Sequence, residues 1–339
     1  MSGSQISIFV GSIIILLSLV LLSMSIGAGA YGMQDFVSYL FQNPIQRADE
    51  QLVMIIETLR LPRTAAACMV GICLALAASL LQSATRNPLA EPGLLGVNAG
   101  AVLGLVIGLS FFGVESTYGY LIWSGTGALF GNTVVLLIAH MMGQASPLKL
   151  ILVGVALNAS LGGIANYILL SQKVALEQFR FWNLGSLSAS DMSAVLLLLP
   201  FVLTSIVITF LLARQLTLMQ LGDLQAKSLG ISTQKVRFGV LIAASIFTAS
   251  AISVAGPISF VGLLAAYCAR MVEPINLSRQ VIFSGSFGVV FLLISDVIAR
   301  WIIQPYEMPN GVILAMVGAP LLIWVVLQGG FRSMLVARQ

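Results

Sequence analysis

The sequence predicts an all-α, polytopic membrane protein of about ten transmembrane helices. Three observations point there: 58% of the 339 residues are hydrophobic and 8% charged, uncharged stretches of spanning length recur along the chain, and Pro and Gly break the apolar pattern at two related places. A soluble domain carries roughly 25% charged residues. A bilayer core takes about 20 apolar residues as helix, so ten spans use about 200.

The spans follow in order. No charged side chain precedes Asp35, so residues 6–27 form a first helix. Lacking a basic n-region, it is expected to be retained rather than cleaved at Ala28-Gly29-Ala30. Uncharged stretches at 64–85, 92–114, 116–148, 150–172, 192–213, 280–295 and 308–331 each hold one more. The stretch 238–269 holds two, a full helix and a shorter one divided at Gly256-Pro257. The intervening segments, chiefly 28–63, 171–191 and 214–236, leave no room for a soluble domain, so 1–339 reads as one membrane domain.

Charge sets the orientation. With the N-terminus in the cytoplasm, Arg86, Lys149, Arg214, Lys227, Lys235, Arg237, Arg270, Arg279, Arg332 and Arg338 lie inside against Glu91, Asp223 and Glu273. The other six basic residues and nine acids lie outside. Both termini are then cytoplasmic, as the positive-inside rule favours. Arg60, Arg63 and Arg300 are left at outer helix ends, where the rule does not expect them.

Several functions are excluded early. No run of five basic residues marks a nucleic-acid surface. Cys68, Cys73 and Cys268 sit in apolar stretches and form neither a disulfide framework nor a metal cluster. A single histidine, His140, is too few for a zinc or di-iron site, and nothing places it beside Ser124-Gly125 or Gly185-Ser186 as a protease would require. No catalytic or metal-binding residue is therefore expected. Ion-coupled carriers keep ionisable groups at mid-membrane depth, and here Asp296 near a helix end is the nearest candidate. No G-x-x-x-x-G-K-[ST] loop is present, so an ATP motor would be another polypeptide.

Five features remain. Residues 86–96, with two prolines and two glycines, break the helical pattern, and 256–264 echo it with a second break and a Gly-Leu-Leu restart. The first break is expected inside and the second outside, as in an inverted repeat around a transport path; plain connecting turns are the alternative. Gly96, Gly100, Gly104 and Gly108 make a smooth helix face, for packing within the chain more than for a dimer seam. Asn158, Gly162 and Asn166 share a face that either lines a path or forms an interhelical hydrogen bond. Leu221, Leu224 and Leu229 give 221–231 an apolar side with Gly230 as its stop, suited to a partner's groove or to the lipid surface. Arg60 and Arg63 flank Pro62 and project from nearly one face as carboxylate-binding forks or snorkelling cations; Arg300 has Asp296 one turn earlier as an alternative partner.

These motifs, from Leu-Pro-Arg at 61–63 through Asn87-Pro88-Leu89-Ala90-Glu91-Pro92-Gly93-Leu94-Leu95-Gly96, Trp182-Asn183-Leu184-Gly185-Ser186-Leu187, Gly256-Pro257-Ile258-Ser259-Phe260-Val261-Gly262-Leu263 and Asp296-Val297-Ile298-Ala299-Arg300 to Gly318-Ala319-Pro320, resemble in order the permeases of ferric-siderophore, heme and cobalamin ABC importers. The resemblance spans about 60–327. It implies an inverted-repeat type II ABC importer permease in the bacterial plasma (inner) membrane. A second permease, as homodimer or paired paralogue, two ABC ATPases and an external or periplasmic substrate-binding protein would complete the assembly. ATP and Mg would be used by the ATPases, with no cofactor on this chain. Arg60, Arg63 and Arg300 would dock the binding protein. Leu221, Gly222, Asp223, Ala226, Leu229 and Gly230, within the cytoplasmic segment 214–236, would form the coupling helix. Asn87 and Leu89, with Pro147 and Leu148, would form an inner gate. The context of Arg86-Asn87-Pro88 and of Arg180-Phe181-Trp182 is similar to catecholate-siderophore permeases, with heme or cobalamin as alternatives. Ala265-Ala266-Tyr267 departs from the family's Val-Pro-His and puts the shape of the short eighth helix in question.

Overall fold

The computed structural model describes residues 3–27, 31–41, 50–141, 147–303 and 306–327. Ala28-Gly29-Ala30 and, from the charge count, Arg47, Asp49, Arg332 and Arg338 lie outside the described residues. Among those described, every regular element is helical. Helix α1 (Gly3–Ser25) is followed by the short α2 (Met33–Phe41) and α3 (Glu50–Met54), and a π-helical stretch, Ile55–Arg60, leads into α4 (Leu61–Thr85). After the first break come a 3₁₀ turn (Pro92–Leu95), α5 (Val97–Phe112), α6 (Thr117–Met141), α7 (Pro147–Ser171) and the short α8 (Lys173–Asn183). The chain continues through α9 (Met192–Met219), α10 (Asp223–Ser228), α11 (Thr233–Ala255), α12 (Val261–Val272), α13 (Leu277–Trp301) and α14 (Asn310–Leu327). Each expected span thus holds one helix. Among the described residues six, including α1, α4, α9 and α13, are long and apolar enough to cross a membrane, and α5, α12 and α14 are shorter apolar helices. The protein is a multi-pass membrane protein.

Helix α4 is the centre of the bundle, with most of its 25 residues buried, whereas α1 is largely exposed. Small residues make this possible. Ala66, Ala67, Ala75, Ala77 and Ala78 are fully buried, so α9, α11, α12 and α13 approach its backbone closely. Gly262 of α12 faces the Leu74 carbonyl and Gly288 of α13 faces Gly71. Ala265 and Ala266 are fully buried in a regular α12, so the departure from Val-Pro-His leaves that helix intact.

The glycine face resolves as packing within the chain. Gly100 and Gly104 of α5 lie backbone-to-backbone against Gly127 and Gly131 of α6, and any Cβ there would overlap a facing carbonyl or Cα. By contrast α7 and α9 display exposed Leu152, Tyr167, Leu170, Leu197, Phe201 and Leu211, faces that lipid or a partner must cover.

Candidate functional site

The segment between α9 and α11 is built from its glycines. Gly222, at φ 129°, turns the chain out of α9, a conformation an L side chain rarely adopts. Helix α10 ends in a Schellman motif: Gly230 N–H donates to the Lys227 carbonyl and Ile231 N–H to the Ala226 carbonyl, at 2.9 and 3.0 Å. Ala226 is buried, while Leu221, Leu224 and Leu229 are 63%, 81% and 59% exposed. Asp223 fixes this ridge to the bundle. Its carboxylate accepts from Arg86 at 2.6 Å and from Arg237 at 2.8 Å, and Arg86 also donates to the Met219 carbonyl. Asp223 and Arg86 are over a third exposed, so the pairs add about 0–1 kcal/mol each and set position more than stability.

Arg86 caps α4 in the left-handed conformation, φ 51°. Beyond it, Asn87 Oδ1 accepts the Leu89 N–H and the Asn87 carbonyl accepts the Ala90 N–H, forming a tight Asx turn. Leu89 is 40% exposed and Asn87 half-buried. Pro147 and Leu148 open α7.

The chain then re-enters the bundle. Glu91, expected among the inner acids, lines one cavity with Leu74, Thr248 and Ile252. Its Oε1 accepts the backbone N–H of Phe260 at 3.1 Å. The two breaks, each entered from its own end of the bundle, therefore meet. Phe260 is itself left-handed, φ 70°, and with Arg86 forms the pair of non-glycine residues at positive φ among those described. Such conformations cost on the order of 1–3 kcal/mol each and persist where surroundings dictate them. Hydropathy does not register this contact between the two breaks.

The second break also binds the Trp182–Leu187 motif. Ser186 N–H donates to the Ala255 carbonyl at 2.8 Å, Gly311 N–H to the Gly185 carbonyl at 2.9 Å, and Leu187 N–H to Asn310 Oδ1 at 3.0 Å. Gly185 and Gly256 interlock so closely that a Cβ on Gly256 would strike the Trp182 carbonyl.

At the expected outer end, the three arginines are turned inward. Arg60, 4% exposed, donates to the carbonyls of Met24, Ser25 and Tyr31 at 2.8–3.0 Å. Arg300, 2% exposed, holds the Ser23 and Ile26 carbonyls and the alternative partner foreseen for it, Asp296, at 2.6 Å. Arg63 pairs with Asp296 at 2.8 Å and Glu307 at 2.5 Å, and its Nη2 finds no partner among the described residues. Asn310 Nδ2 completes the Asp296 shell at 3.1 Å. Arg60 and Arg300 satisfy the last carbonyls of α1, which favour positive charge.

The face of Asn158, Gly162 and Asn166 divides. Asn158 Nδ2 donates to the Gly93 carbonyl at 3.2 Å, one of the two readings of its amide, whereas Asn166 is exposed and Gly162 has open space before it. Ser124 Oγ donates to the Tyr120 carbonyl and Ser186 pairs with Ser188. Sequence reasoning missed the Glu91–Phe260 contact and the Arg86–Asp223 pair; the charges flanking Asn-Pro-Leu-Ala were the available signal.

The model of the FecCD transport family matches residues 14–328. The Fe(3+)-citrate import system permease protein of Bacillus subtilis (strain 168) is 35% identical, over 97% of this chain and 96% of the relative. The ferric enterobactin transport system permease protein of Escherichia coli (strain K12) is 36% identical, over 93% of each. A solved structure described as an inward-facing metal-chelate type ABC transporter superposes with a TM-score of 0.83 at 26% identity, covering 95% of this chain and 99% of that one. With the family model matching nearly the whole chain and relatives 35–36% identical over more than nine-tenths of it, the chain belongs to the FecCD transport family.

Proposed function

We propose that this chain is the permease subunit of an ATP-driven importer that moves a ferric siderophore into the cytoplasm. The observation that carries the reading is α10: three exposed leucines on a ridge held by Asp223 suit a groove in a partner ATPase. Two such ATPases would hydrolyse ATP with Mg, and this chain would bind no cofactor. The open face of α7, with Gly162 and Asn166, would meet a second permease subunit across the path. Leu89, with Pro147 and Leu148, would close the inner end. The setting is a bacterial plasma membrane, with both termini cytoplasmic.

A substrate-binding protein would dock at the end carrying Arg60, Arg63 and Arg300. Because these guanidiniums face inward, a docking carboxylate would exchange with Glu307, 26% exposed at the network's rim, for Arg63. Complementary charge there would orient the encounter.

An iron chelate is favoured because the Bacillus and Escherichia relatives are named for ferric citrate and ferric enterobactin. Heme or cobalamin would use the same machinery. The test is uptake of iron-55 supplied as several ferric siderophores, beside labelled heme and cobalamin, in cells with and without the chain. Loss of one ferric siderophore alone supports the proposal; loss of heme or cobalamin alone replaces the substrate. Uptake that persists without ATP and follows an ion gradient would assign a secondary transporter instead.

A further inference from the structure

Residues 86–91 are anchored at both ends by charged side chains that serve different parts of the fold. At one end Arg86 holds Asp223 of α10 at 2.6 Å and the Met219 carbonyl. At the other, Glu91 accepts the Phe260 N–H at 3.1 Å, in the break that starts α12. What lies between is stiff. Pro88 fixes φ, and Asn87 ties its neighbours through the Leu89 and Ala90 N–H bonds and by donating its own N–H to Thr85 Oγ1. The two non-glycine residues held at positive φ, Arg86 and Phe260, sit at the two terminal contacts.

We propose that 86–91 is a relay strap, carrying displacement of α10 to the paired helix breaks. A segment meant to isolate the two regions would be glycine-rich and free of anchors; this one is braced between them. Arg86 and Glu91 are positioning residues: they touch no cargo but join two elements that must move together. The energetic route is short, from Asp223 to Arg86, along five peptide units to Glu91, and into the Phe260 backbone. It rests on the reading that α10 contacts an ATPase.

The test uses the assembled importer in proteoliposomes, with iron-55 ferric citrate and ferric enterobactin as probes, and measures iron taken up per ATP hydrolysed. Arg86→Ala and Glu91→Leu should each lower that ratio about tenfold, within the range of site-to-site coupling, while ATPase co-purification and ATP hydrolysis persist. The double variant should be no worse than the weaker single, because a strap cut at either end transmits nothing. Glu91→Gln, which keeps an acceptor for Phe260, and Arg86→Lys, which keeps the charge, should retain coupling. Should the two truncations fail to assemble, Asp223→Ala, at the exposed end, carries the same expectation. An unchanged ratio in an assembled Arg86→Ala or Asp223→Ala complex, or multiplying losses in the double variant, overturns the strap. Absence of ATP-dependent uptake of these probes and of labelled heme and cobalamin in the wild type overturns the permease reading beneath it.

Discussion

Arg63 and Arg300 share the carboxylate of Asp296: Arg63 Nε meets Oδ1 at 2.8 Å and Arg300 Nη2 meets Oδ2 at 2.6 Å, with the acid fully buried. Asn310 adds a third donor. Removing the acid leaves two buried cations without their common partner. Breaking a buried pair from one side costs about 3–5 kcal/mol, so Asp296→Ala should lower the thermal midpoint of the purified protein steeply. A midpoint within a degree or two of wild type would show that the network is not structural.

The close approach of α5 and α6 gives a sharper contrast. A side chain at Gly100 would overlap the Gly127 carbonyl, whereas Gly162 on α7 has nothing near its would-be Cβ. Gly100→Val should force the helices apart and reduce the yield of monodisperse protein by more than half. Gly162→Ala should be tolerated, and by removing a mid-helix glycine gain up to about 1 kcal/mol. Equal behaviour of the two variants in size-exclusion chromatography would contradict backbone-to-backbone packing of α5 on α6.

Hydropathy made the ten spans legible, because a helix must hold its own backbone hydrogen bonds in lipid and therefore runs uninterrupted. The stop of α10 was legible in Gly230 for an equally local reason, its Schellman bonds. The fate of Arg60, Arg63 and Arg300 was not. Their positions against the charge rule marked them as unusual, but Arg63 meets a carboxylate 233 positions away and Arg60 binds carbonyls some 30 positions back, pairings that no local spacing encodes. The Glu91–Phe260 contact, 169 positions apart, was hidden for a related reason: a Pro-Gly break announces that the helix stops, not the direction in which the chain continues.

The leucine ridge of α10 predicts a variant that separates folding from association. Leu224 is 81% exposed, so Leu224→Glu should change stability by less than about 0.5 kcal/mol. At a desolvated contact, loss of one anchor costs about 2 kcal/mol or more. ATPase co-purification should then fall at least about tenfold while the permease stays monodisperse. Undiminished co-purification would remove α10 from the ATPase contact.

Arg60 offers the last discrimination, between holding α1 and docking a partner. Helix α1 exposes Ile6, Ile14, Leu17 and Leu21 and is pinned at its C-terminal end by two carbonyl bonds, at Met24 and Ser25, from one guanidinium that also holds the Tyr31 carbonyl. A lysine keeps the charge but not the planar fork, and hydrogen bonds to charged groups are worth about 1.5–3 kcal/mol each. Arg60→Lys should therefore loosen α1, read as faster amide exchange over residues 20–26 with the rest of the bundle protected, while the affinity of a binding protein that reads only charge stays near wild type. Unchanged exchange with weakened, salt-sensitive binding would mean that Arg60 leaves the α1 carbonyls to meet the partner, and that the inward arrangement is the undocked state.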